Sequence, residues 1–93
     1  MQGDELQKRA DQNLVAFLRT ELDLGFTFTQ TASVEARLRD REGVERARNI
    51  AQSALETVRR FKARIVDEQI RRELQERADE LEKQLSSTHP RLD

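Results

Sequence analysis

The sequence has no cysteine, tryptophan or tyrosine, and only one proline, three glycines and one histidine. Without cysteine there is neither a disulfide framework nor a thiolate metal site. The single histidine, His89, excludes a ferritin-like centre, which needs Glu-x-x-His motifs on facing helices. Ser33, Ser53, Ser86 and Ser87 have no histidine near them in sequence, apart from His89 beside the C-terminal serines, so no nucleophile–base pair stands out. Gly3, Gly25 and Gly43 are isolated and build no phosphate-cradling loop. No apolar run approaches the roughly 20 residues of a membrane-spanning helix. No secretory signal pattern opens the chain, so the expected setting is cytoplasmic, without membrane association.

Charge of one sign is lacking too. There are 17 Lys+Arg against 18 Asp+Glu, for a net charge of -1 over 93 residues. A protein that grips nucleic-acid phosphates normally carries an excess of bases, so nucleic acid is not an expected partner. The bases are 14 Arg and three Lys, interleaved with acids nearly everywhere. This is the pattern of solvated helix faces with i,i+4 pairs, not of an anion site.

What the chain does have is helical periodicity. At about 100° per residue, Leu6, Ala10, Leu14, Phe17, Leu24, Phe28 and Ala32 form one stripe, with Val15, Leu18, Leu22 and Phe26 beside it. Residues 22–29 also alternate like a strand, but the helical template accounts for both flanks and no partner strand exists. The spacing predicts a first helix over about residues 5–39. Its apolar arc, roughly 200° wide, needs more than one neighbour.

Val44, Ala47, Ala51, Ala54, Val58, Phe61 and Ile65 predict a second helix over about residues 44–66. Ile70, Leu74, Ala78, Leu81 and Leu85 predict a third over about 68–86, out of phase with the second. The phase jump places a break near residues 64–68, with Asp67 as N-cap. The expected fold is an all-α, three-helix antiparallel bundle in one domain, with a frayed tail over 87–93. The alternative is a continuous second helix that makes a long hairpin and dimerises into a four-helix bundle.

A turn at Asp40–Gly43 sets facing residues of the first two helices to sum to about 83. Ala36 then faces Ala47, Ala32 faces Ala51, Phe28 faces Leu55 and Gly25 faces Val58. Gly25, Ala32, Ala47, Ala51 and Ala54 are the close-packing positions. Glu21 meets Lys62 and Glu35 meets Arg48, as structural ion pairs that fix register. Glu21 and Glu35 lie about 21 Å apart along a helix, too far to act on one atom, so no catalytic pair arises. The third helix is expected parallel to the first, with Leu18 against Ile70, Leu22 against Leu74 and Phe26 against Ala78. Phe17, Phe26, Phe28, Phe61 and Leu24 are expected in the core.

Leu24-Gly25-x-x-Phe28, followed by Val44-x-x-Ala47-x-x-x-Ala51-x-x-Ala54, resembles one tetratricopeptide repeat. The arrangement is also similar to the single-copy microtubule-interacting-and-transport domains, which add a third helix. Glu21 and Ala51 stand where the repeat has bulky aromatics, and the gap between the halves is about ten residues too long. The resemblance implies a helical interaction module without enzyme activity, cofactor or metal, whose partner is another protein or a second copy of itself. A structural homodimer, or a regulator binding a small ligand between helices, are the alternative functions.

Overall fold

The computed structural model describes residues 2–88. They form α1 (Gln2–Arg37), α2 (Arg41–Phe61), a 3-10 turn (Lys62–Arg64) and α3 (Glu68–Ser87), with no strand among them. The expected up-down-up, three-helix bundle is what the chain builds. Pro90 and most of the expected tail lie outside the described residues, but Ser87 ends α3 and Thr88 is buried as its C-cap.

α1 runs through Gly25 without interruption, and no glycine has a positive φ. The strand-like alternation of residues 22–29 is overridden because successive residues find different neighbours around a helix. Leu22 and Gly25 face the core, Phe26 and Phe28 are half-buried, and Leu24 and Thr27 are exposed. α1 stops in a Schellman turn. Arg39 adopts φ 59, its N–H bonds the Ala36 carbonyl at 3.1 Å, and the Asp40 N–H bonds the Glu35 carbonyl at 2.9 Å.

Asp40 then caps α2, its carboxylate accepting from the Gly43 N–H at 3.0 Å. The turn is therefore centred about two residues earlier than expected. Gly43 does not stop a helix. It sits in the first turn of α2, where a Cβ would lie 2.6 Å from Asp40 Oδ2 and 2.9 Å from Glu35 Oε2. Facing residues of α1 and α2 consequently sum to about 79, one helical turn from the expected register. Ala32 packs with Val44 and Ala47, and Gly25 lies against Ala54.

The break between α2 and α3 falls where expected and uses neither glycine nor proline. Ile65 turns to an extended conformation (φ -79, ψ 123) and is almost wholly buried. Asp67 caps α3, accepting from the N–H groups of Gln69 and Ile70 at 2.9 and 3.2 Å. This rules out the continuous hairpin.

α3 lies between the other two and parallel to α1. Arg19 pairs with Glu73 at 2.9 Å and Asp23 with Arg77 at 2.8 Å. Further along, the Thr29 hydroxyl meets Gln84 Oε1 at 2.8 Å. The offset is 54 to 55 residues in these contacts, against the 52 of the expected pairings. On its other flank α3 meets α2, where Arg59 reaches Asp79 and Glu82 at 3.3 and 3.0 Å. All these pairs are partly exposed and each is worth about 0–1 kcal/mol. Burial of Leu18, Leu22, Leu55, Val58, Ile65, Leu74 and Leu81 supplies the cohesion, at about 1.5–3 kcal/mol per large side chain.

The molecule is long: 61 × 18 × 15 Å, with a radius of gyration of 15.9 Å against about 12 Å for a compact chain of this size. The excess is α1, whose 36 residues span about 54 Å at 1.5 Å per residue. Its N-terminal turns carry residues 5–10, all exposed, past the ends of α2 and α3.

Candidate interaction face

None of the four ion-pair candidates meets its expected partner, because the one-turn shift in register separates them. Glu21 is half-buried on the α1–α2 groove, beside Leu24, Ser53 and Thr57 rather than Lys62. Lys62 lies in the 3-10 turn. Glu35 lies over Gly43, its Oε2 2.9 Å from where a Cβ would sit, rather than against Arg48. Arg48 instead reaches across to α3, where its Nη2 donates to the Leu85 carbonyl at 3.4 Å. A cation at a helix C-terminus is favourably placed against the helix dipole.

The small residues keep their packing role with changed partners. Gly25 is buried, and a Cβ there would lie 2.6 Å from Leu81 Cδ2 and 3.5 Å from the Ala54 Cβ. Gly25 thus lets α3 approach α1, whereas the sequence pointed to α2 and Val58. Ala51, Ala54, Ala32 and Ala47 are all buried.

The concave features are shallow. A notch of about 450 Å³ lies where α1 passes the start of α3, lined by Lys8, Asp11, Arg19, Ile65 and Ile70 among others. A groove of about 420 Å³ runs between α1 and α2 beside Glu21, Leu24 and Ile50. Among the described residues no cluster of three or more His, Asp or Glu could hold a metal. No helix among them is long and apolar enough to cross a membrane.

The distinctive feature is the outer face of α1. Leu6, Phe17, Leu24, Val34 and Leu38 are 64%, 47%, 40%, 50% and 69% exposed, and they are five of the seven exposed large hydrophobic residues among the described residues. Phe17 and Leu24 were expected in the core. They lie at the outer edge of the apolar arc, where their neighbours cover them only in part. With Ala10, Asn13, Thr20, Thr27 and Thr31 they make ten positions from Leu6 to Leu38, spaced alternately by four and three residues. None of the ten is charged, in a chain of which 38% is. That spacing is the heptad seam of a coiled coil.

Two of the threonines are prepared for burial. The Thr20 hydroxyl donates to the Ala16 carbonyl at 3.0 Å, and the Thr31 hydroxyl to the Thr27 carbonyl at 3.2 Å. Their protons are satisfied within α1, so covering them strands no donor. A strict heptad count of residues 6–38 would have revealed the seam. The broad apolar arc expected for α1 merges this seam with the core stripes and contains neither Thr20 nor Thr27.

In comparisons with protein families, curated proteins and solved structures, nothing matches the chain.

Proposed function

We propose that this chain is a non-catalytic protein–protein interaction module whose working surface is the outer face of α1. The observation that carries this reading is the uncharged heptad seam from Leu6 to Leu38, whose five large hydrophobic residues are exposed. Contiguous exposed apolar surface on a small protein marks an interaction site, and a heptad seam fits another helix. Likeness to a tetratricopeptide-type helix pair supports the same class of role, and balanced charge favours a protein partner over nucleic acid. The proposed setting is the cytoplasm, where a chain without cysteine loses nothing to reducing conditions.

The test is affinity capture with the intact chain against Phe17→Glu and Leu24→Glu variants. Proteins retained by the intact chain and lost with both variants, at unchanged helicity, support the module. Equal retention by all three rejects the seam as its binding surface.

A further inference from the structure

We infer that the seam's partner is a second copy of this chain, docked antiparallel so that the two α1 helices cross near Leu22. This rests on the reading of α1's outer face as a binding surface and names its occupant.

The evidence is the internal symmetry of the seam. Its spacing reads the same in both directions, so reversing one copy pairs every position with a seam position of the other. Leu6 meets Leu38, Ala10 meets Val34, Asn13 meets Thr31, Phe17 meets Thr27, and Thr20 meets Leu24, each pair occurring twice about the axis. The pairing is also matched in volume. Phe17 and Leu24 each face a threonine and Val34 faces an alanine, the large-against-small alternation that fills a core without gaps. A parallel pair would stack Phe17 on Phe17 and leave layers of threonine facing threonine.

Polarity is matched as well. The only amide on the seam, Asn13, faces Thr31, whose hydroxyl already donates to Thr27. Its lone pairs remain free to accept from the Asn13 side-chain NH2. One polar layer of this kind fixes register in coiled coils.

The arrangement also covers what a single copy leaves bare. The N-terminal turns of α1, which extend past α2 and α3, would lie along residues 31–38 of the second copy. A seam of about 48 Å, one helix diameter wide, gives roughly 500 Å² per copy, or about 1,000 Å² in all, the lower bound for a specific interface.

Near the axis, Asp23 and Glu21 each approach their own counterpart on opposite flanks of the seam; Asp23 is already paired with Arg77 of its own chain at 2.8 Å, which leaves Glu21 against Glu21 as a like-charge contact. At the ends Arg9 approaches Arg37, a like-charge contact that salt screens. Added salt should therefore tighten the dimer.

The experiment is sedimentation equilibrium of the intact chain from about 1 μM to 1 mM, combined with single-cysteine variants, which the absence of native cysteine makes unambiguous. The expected result is a reversible dimer, weakened roughly 100-fold by Leu24→Glu. Leu6→Cys mixed with Leu38→Cys should form an intermolecular disulfide, and Leu6→Cys alone should not. Both positions are exposed, so neither change threatens the fold. A disulfide from Leu6→Cys alone, or a monomer across the whole range, overturns the inference. If the chain is monomeric yet capture still depends on Phe17 and Leu24, self-pairing fails while the interaction module stands. If neither holds, both fail.

Discussion

Gly25 on α1 and Leu81 on α3 are packed so closely that a Cβ at position 25 would lie 2.6 Å from Leu81 Cδ2. Leu81 is fully buried, so it has little room to retreat. Ala54 approaches the same point from α2, at 3.5 Å. Gly25 is therefore where all three helices converge. Gly25→Leu should destabilise the bundle by about 1–3 kcal/mol through overpacking. Gly25→Ala should change stability by less than about 1 kcal/mol, because its better helix propensity offsets a shift of Leu81. Urea unfolding of both variants checks the difference, and a well-tolerated Leu would sink this account of the packing.

Leu22 and Leu24 are two residues apart but differ completely in environment, one fully buried and the other 40% exposed. Leu22→Ala should cost roughly 2–5 kcal/mol. Leu24→Ala should cost about 1 kcal/mol or less in the monomer, because only part of its surface is covered. Measurements at low protein concentration isolate the fold from any association. Equal losses would contradict the burial pattern.

Arg39 occupies the left-handed position that ends α1, with φ 59. A side chain there is strained, and glycine is the usual occupant of this position in a Schellman turn. Arg39→Gly should stabilise the protein by about 0.5–1 kcal/mol, seen as a higher denaturation midpoint with an unchanged slope. A lower midpoint would mean that the arginine contributes through its side chain.

Donation by the Gly43 N–H, above all, holds the Asp40 carboxyl below its ordinary value of 3.8; Arg46 acts in the same direction and burial opposes both. A carboxyl with a lowered native pKa stabilises the fold above its unfolded pKa and loses that contribution as pH falls through the native value. Thermal melts should thus show a loss of stability beginning near pH 3.8 and deepening below it. Asp40→Asn keeps a capping oxygen that does not titrate in this range, so part of that acid-dependent loss should vanish. Superimposable acid profiles for the two proteins would exclude Asp40 as a contributor.

Periodicity alone determined the three helices, because apolar positions recurring every three or four residues can be buried together only on a helix. It also located the α2–α3 break. The phase jump after Ile65 is a property of the residue order, and Asp67 can cap whichever backbone follows it. The parallel sense of α1 and α3 follows from having two short connections. What residue order left open was register. Gly43 looks like a helix stop in sequence, yet the chain turns at Arg39 and uses Gly43 to let the Asp40 and Glu35 carboxylates approach α2. That choice moved every α1–α2 contact by one turn, separated Glu21 from Lys62, and gave Arg48 to the Leu85 carbonyl. Only the packed structure could divide the broad apolar arc of α1. Two neighbours cover Leu18, Leu22 and Ala32 completely, while Phe17, Leu24 and Val34 stay exposed. Which side of an amphipathic helix remains open depends on where its neighbours come to rest, and that is set by the fit of Gly25 against Leu81 and Ala54, not by the pattern of any one helix.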